Sequence, residues 1–197
     1  MRKSFIFLFI TFFTLPSIFA GPFGLDMGMT LEEVANVCTS EPEYIADDRY
    51  YIQPEKSHPL FEGYIAWISD SEGLYYIRGV SREIQTNGYG TEVKNEFSKI
   101  LSPLERKYGK FKKVNSLADD TIWYDDKNWM DSIACGARTF GADWVAKETE
   151  HDNFGGLISI SLGIKTEATY ITRKAYIWLE YGFINSINGF NNLDDVL

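Results

Sequence analysis

Histidine and cysteine are scarce in this chain of 197 residues, with two of each. Neither His58 nor His151 has a partner at the helical spacing of paired zinc ligands, so we predict no metal and no cofactor. No Gly-x-Ser-x-Gly segment, the nucleophile turn of many hydrolases, is present. A Ser-His-Asp triad stays open as an alternative because its members are distant in sequence. We predict no particular catalytic residue.

Basic residues are also few, with 19 Lys and Arg against 28 Asp and Glu and a formal net charge of -9. The densest basic cluster comprises Lys110, Lys112 and Lys113 and directly follows a predicted helix. Lysines in that position suit the helix dipole. Phosphate binding needs clustered cations, so the composition predicts neither a nucleic-acid partner nor an anionic membrane surface.

The first twenty residues have the composition of a secretory signal peptide. Arg2 and Lys3 precede an apolar run from Phe5 to Leu15, and Ala20 supplies a small residue for cleavage. The run is shorter than the ~20 residues that cross a bilayer, and no cysteine for lipidation follows it at once. We therefore expect a periplasmic or secreted protein without a stable membrane anchor. Its mature part would carry 17 basic and 28 acidic residues.

Export gives the two cysteines a compartment in which they can be oxidised. An even number of cysteines in an exported chain favours a Cys38–Cys135 disulfide. Two buried free thiols are the alternative, because reduced cysteine packs as a small apolar side chain. Cys38 lies on the apolar stripe of its predicted helix and Cys135 lies off the stripe of its own, so both interpretations stay open.

Apolar spacing predicts an α+β fold in which helices pack on an antiparallel sheet. The predicted helices are about Thr30–Cys38, Thr91–Tyr108 and Asn128–Phe140. The predicted strands are Tyr50–Ile52, Tyr64–Ile68, Leu74–Val80, Ala142–Lys147, Leu157–Ile164 and Ala175–Phe183. We expect a single domain over residues 21–184, which can be divided into tandem halves of a helix and strands at 21–88 and 89–184. Residues 185–197 read as a loose acidic tail.

The segment from Phe23 to Val34 contains Gly28-Met29-Thr30-Leu31-Glu32-Glu33-Val34. It resembles the opening of small envelope proteins, namely the SmpA/OmlA lipoproteins and proteins similar to the β-lactamase inhibitor protein. The segment around Lys107-Tyr108-Gly109-Lys110 and the strand Leu179–Phe183 resemble uncharacterised secreted bacterial proteins. The resemblance implies helices on an antiparallel sheet and an inhibitor-like role.

Tyrosine and tryptophan are numerous, with twelve and five residues. An antiparallel sheet with helices on one face leaves its other face to water, and exposed Tyr and Trp are frequent in protein interfaces. We predict an aromatic binding face that includes Tyr64, Trp67, Tyr75, Tyr76 and Trp178. The sequence thus favours an exported, non-enzymatic module that binds an envelope or secreted protein. An exported hydrolase with an unrecognised site and a sugar- or small-ligand-binding protein are the alternatives.

Overall fold

The computed structural model describes residues 21–118, 122–147, 154–166 and 173–194. In these residues the chain forms one antiparallel sheet of nine strands together with four α-helices, which confirms the predicted α+β class. The helices are α1 (Leu31–Ala35), α2 (Thr91–Tyr108), α3 (Trp129–Ala134) and α4 (Ser186–Asp194). The strands are β1 (Glu43–Ala46), β2 (Arg49–Ile52), β3 (Phe61–Ser69), β4 (Gly73–Ser81), β5 (Ile84–Gln85), β6 (Lys112–Leu117), β7 (Arg138–Val145), β8 (Leu157–Thr166) and β9 (Lys174–Phe183). The predicted signal peptide lies outside the described residues.

The sheet is built from two meanders that meet at their last strands. Its order is β1-β2-β3-β4-β9-β8-β7-β6, and the short β5 pairs with β9 beside this path. All neighbouring strands are antiparallel. One helix precedes each meander, α1 before β1 and α2 before β6, so the sheet order is symmetric about the β4–β9 pair.

The core lies between this sheet and α2, whose bounds agree with the sequence prediction. Val93, Phe97, Ile100 and Leu104 recur at helical spacing and are buried against the sheet. The helix runs through Pro103 and ends before Gly109, whose φ of 81° is a left-handed conformation that glycine adopts without strain. The apolar stripe therefore fixes which side of the sheet is covered.

The other two predicted helices are shorter than expected. A reciprocal capping box between Thr30 and Glu33 starts α1 as predicted, but the helix ends at Ala35. The third helix ends at Ala134, and Gly136 at a φ of 73° turns the chain into β7. Phe140, which continues the helical stripe in the sequence, is a strand residue that still packs on Phe97.

A helix occupies most of the segment expected to be a loose tail. In α4, Phe190 packs edge-on against Tyr75 and Tyr76, with ring centroids 5.3 and 5.4 Å away. A methyl group at Gly189 would lie 2.8 Å from the Tyr75 ring, so only glycine allows this close approach. Tertiary packing thus orders an Asn-rich segment whose composition is typical of loops. None of the described helices has the length and apolar content needed to cross a bilayer.

The two cysteines are free thiols, so the predicted Cys38–Cys135 disulfide is absent. Cys38 is partly buried and forms an isolated antiparallel backbone pair with Pro54, two residues after β2. Cys135 is exposed at the end of α3, which packs on β7 and β8. β2 and β7 are five positions apart in the sheet order, about 24 Å at the usual strand spacing of ~4.8 Å. The Cα atoms of a disulfide lie within about 7 Å of each other.

Candidate functional site

The sheet face opposite α2 is the candidate site, and we call it the open face. Strand alternation and cross-strand register define it. Its central residues are Tyr51, Ile65, Trp67, Tyr76, Arg78, Val80, Asp143, Ser161, Trp178 and Glu180. The short helix α4 covers one end, where Phe190 rests on Tyr76.

An ion pair between Arg78 and Glu180 lies at the centre of the open face. The two residues are direct cross-strand partners on β4 and β9, and Nε and Nη2 of Arg78 both donate to Oε1 of Glu180. The Glu180 side chain is only 14% exposed. Charge-assisted hydrogen bonds to a partly buried carboxylate are stronger than exposed ones, so this pair holds β4 and β9 side chains in one geometry.

Tyr76 extends this polar cluster. It lies beside Glu180, and burial followed by the Glu180 charge raises the pKa of Tyr76 far above its ordinary value. The neutral hydroxyl therefore persists throughout the physiological pH range. Arg78 and Glu180 neutralise each other, so covering them would leave no buried charge unpaired.

Aromatic rings pack tightly around the cluster. Trp67 meets Tyr76 edge-on at 5.1 Å, and the Arg78 guanidinium lies 5.4 Å from the Trp67 ring centroid. Only 8% of the Trp67 surface is exposed to solvent. The rings and the guanidinium are thus ordered before any partner arrives.

Trp178 lies flat across the neighbouring strand because that strand has a glycine at the facing position. Gly163 is its cross-strand partner, and a methyl group there would lie 2.7 Å from Nε1 of Trp178 and closer still to the ring carbons. The Lys165 ammonium lies 5.9 Å from the ring centroid. Beside the ring is a shallow groove of about 320 Å³, lined by Arg78, Val80, Lys165, Thr166, Tyr176 and Trp178.

Of the five predicted aromatic residues, the structure places Trp67, Tyr76 and Trp178 on the open face, where Tyr76 and Trp178 are partly exposed and Trp67 is buried. Tyr64 and Tyr75 are fully buried, so the prediction that they are surface residues is corrected. Tyr64 faces the helix side, where its hydroxyl accepts a hydrogen bond from the His58 backbone N–H at 2.8 Å.

Tyr75 is buried for a different reason. The pairing of β3 and β4 shifts between Trp67 and Ile68, so Tyr75 is the extra residue of a bulge and simple alternation fails. It lies under α4, and its hydroxyl donates to Oδ2 of Asp48 at 3.1 Å. Sequence reasoning missed Arg78 and Glu180, although their alternation with Ile77 and Leu179 places them on the solvent side of their strands.

The histidines and the possible metal ligands are the other candidate groups in the described parts of the chain. Nδ1 of His58 accepts from the Leu60 backbone N–H at 3.2 Å, a structural role in its loop, and His151 lies outside the described residues. No group of three or more His, Cys, Asp and Glu side chains within the described ranges is placed to hold a metal ion. A second cavity of about 340 Å³ lies where α2 ends, beside Tyr108, Trp144 and Phe154.

No known protein family, no curated protein and no solved structure matches the chain.

Proposed function

We propose that this chain is an exported, non-enzymatic interaction protein that binds an envelope or secreted protein partner through the open face. Export is supported by the basic and apolar pattern of residues 1–20. Binding is supported by one observation above all, the packed array of Trp67, Tyr76, Arg78 and Trp178 on the side of the sheet away from α2. An inhibitor-like role is the specific form suggested by the motif from Gly28 to Val34.

The composition of the array suits protein recognition. Trp, Tyr and Arg are the residues that contribute most binding free energy in protein interfaces. Here the rings are already fixed, Trp67 by Tyr76 and Trp178 by Gly163. A partner therefore does not have to immobilise flexible side chains, and that saving in conformational entropy appears as affinity.

Affinity capture from the envelope fraction of the producing cells tests the proposal. The bait is the purified protein, compared with Trp178→Ala and with the control Tyr89→Ala, which removes an exposed aromatic residue just before α2. We expect the wild type and the control to capture the same protein and Trp178→Ala to capture about tenfold less, equivalent to a loss of about 1.4 kcal/mol. Equal capture by all three baits, or no specific capture, contradicts the proposal.

A sugar or small ligand is the second candidate, and the groove beside Trp178 favours it. The indole ring is half-buried, with Thr166 and Tyr176 in the same lining; the Thr166 hydroxyl donates to the Lys174 carbonyl, so it would meet a ligand as an acceptor. A flat ring next to hydroxyl groups can stack on a small ligand and bind its polar edges. Titration of a saccharide panel while tryptophan fluorescence is recorded distinguishes this candidate. Saturable quenching that disappears in Trp178→Phe favours it, and no change with any saccharide argues against it.

A further inference from the structure

The two ends of the sheet carry unlike charges. β1 and β6 are the end strands of the described sheet, and each pairs with one neighbour in it. The outer side of an end strand presents backbone N–H and C=O groups to which another strand can add. What such an edge accepts depends on its side chains and on the direction of its chain.

Exposed carboxylates mark the β1 edge, and exposed ammonium groups mark the β6 edge. Glu41 and Glu43 are exposed acidic residues at β1. Asp47, which follows the strand, is also exposed, but its charge is neutralised by an ion pair with Arg49. The exposed lysines at β6 are Lys110, Lys112 and Lys113. Asp143 stands opposite Lys112 in the pairing with β7, so the edge keeps a net positive charge. Each edge repels its own copy and attracts the other edge.

Strand direction also allows the two unlike edges to pair. The path from β1 to β6 contains eight strands, and every neighbouring pair on it is antiparallel. β1 and β6 therefore run in opposite directions. If β1 of a second copy lies beside β6, the antiparallel alternation continues without a break.

The register places complementary side chains in the same rows. Cross-strand partners connect Glu43, through Tyr51, Ile65, Arg78, Glu180, Ser161 and Asp143, to Lys112 on the open face. The next row connects Tyr44 to Trp144, whose ring packs on Phe111 just before β6. A second copy added along these rows brings Glu43 to Lys112 and Tyr44 to Phe111. Tyr44 and Ile45, 65% and 47% exposed, are apolar surface that such a contact would cover.

We propose that this protein self-associates head to tail, with β1 of one copy adding to the β6 edge of the next. The contact is heterologous, so each added copy leaves one β1 and one β6 edge free to bind a further copy. β1 has only four residues, so the interface is small and the association is weak and reversible. The proposal does not depend on what binds the open face.

Charge-reversal variants of the whole protein test the proposal by sedimentation velocity over a range of concentrations. The first variant carries Lys112→Glu and Lys113→Glu, which make the β6 edge acidic like the β1 edge. The second carries Glu41→Lys and Glu43→Lys, which make the β1 edge basic like the β6 edge. The control carries Lys99→Glu and Arg106→Glu, which make the same charge change as the Lys112→Glu and Lys113→Glu variant but on the exposed surface of α2. Circular dichroism spectra establish that each variant is folded.

We expect the wild type and the control to gain mass with concentration at low ionic strength and to lose this gain in ~1 M salt, where the Debye length is about 3 Å. Each edge variant alone should stay monomeric. An equimolar mixture of the two should associate again, because every β1–β6 contact between unlike variants is then attractive. A monomeric wild type at all concentrations overturns the proposal, as does a mixture of folded variants that stays monomeric.

Discussion

Replacing Gly163 by alanine tests the position of Trp178 on the sheet. A methyl group at Gly163 would lie 2.7 Å from Nε1 of Trp178, about 1 Å inside an ordinary van der Waals contact of about 3.5–4.0 Å. The ring must then leave its place, which costs about 1–3 kcal/mol by the usual effect of overpacking. Alanine in a strand also stabilises by about 0.5–1 kcal/mol relative to glycine. We expect a net loss of about 0.5–2 kcal/mol in the free energy of unfolding.

The same substitution in a Trp178→Ala background isolates this contact. Without the indole ring nothing is displaced, so Gly163→Ala should now stabilise the fold by about 0.5–1 kcal/mol. Gly63→Ala is the matched control, because its methyl group would lie 3.6 Å from the Tyr51 ring, an ordinary contact. Urea unfolding followed by circular dichroism gives the free energies of the wild type, the two single variants, the double variant and the control. If Gly163→Ala stabilises both backgrounds equally, Trp178 does not lie on Gly163 and the preorganised array is refuted.

Three further predictions concern the fold. Thr30→Ala removes the capping box of α1 and should lower the free energy of unfolding by about 1 kcal/mol in urea titrations; an unchanged midpoint would contradict the cap. Burial raises the pKa of Tyr181 in the folded state, so above the ordinary tyrosine pKa of about 10 the folded chain binds more protons and its stability falls as pH rises. Urea midpoints from pH 8 to 11 should therefore decline less in Tyr181→Phe, and identical declines would refute this. Thiol titration without reductant should find two thiols in the unfolded protein, whereas a disulfide would give none. In the folded protein exposed Cys135 should react faster than Cys38, because Cys38 is partly buried and burial raises its pKa.

The sequence predicts best the elements whose own pattern determines their environment. The stripe from Val93 to Leu104 predicts α2 with its bounds, because one face of a long helix must be buried. The predicted strands Tyr64–Ile68 and Leu74–Val80 lie within β3 and β4, because their apolar runs can be recognised without their neighbours. β1 and β6, in contrast, are mostly exposed on both faces and show no alternation. They are strands because a neighbouring strand pairs with them, and such pairing is not visible in their local sequence.

The candidate site was predictable in part, for reasons that differ between residues. Trp67, Tyr76 and Trp178 were predicted to lie on an exposed face because Tyr and Trp are frequent in protein interfaces and a sheet with helices on one face leaves its other face to water. Tyr64 and Tyr75 were misplaced because residue type does not say which face of the sheet a ring lies on: Tyr64 lies on the helix side, and Tyr75 is the extra residue of a bulge and is buried. The ion pair of Arg78 with Glu180 needs the β4–β9 register, which joins positions 102 residues apart.

Photo-crosslinking in the producing cells tests the central claim, that the open face binds a protein partner, most directly. Benzoylphenylalanine replaces either Ile65, which is half-buried on the open face next to Arg78, or Ser98, which is exposed on α2. Irradiation should give a single discrete adduct from the Ile65 position and none from the Ser98 position. An adduct from the Ser98 position together with none from the Ile65 position would place the partner on the helix side and contradict the account.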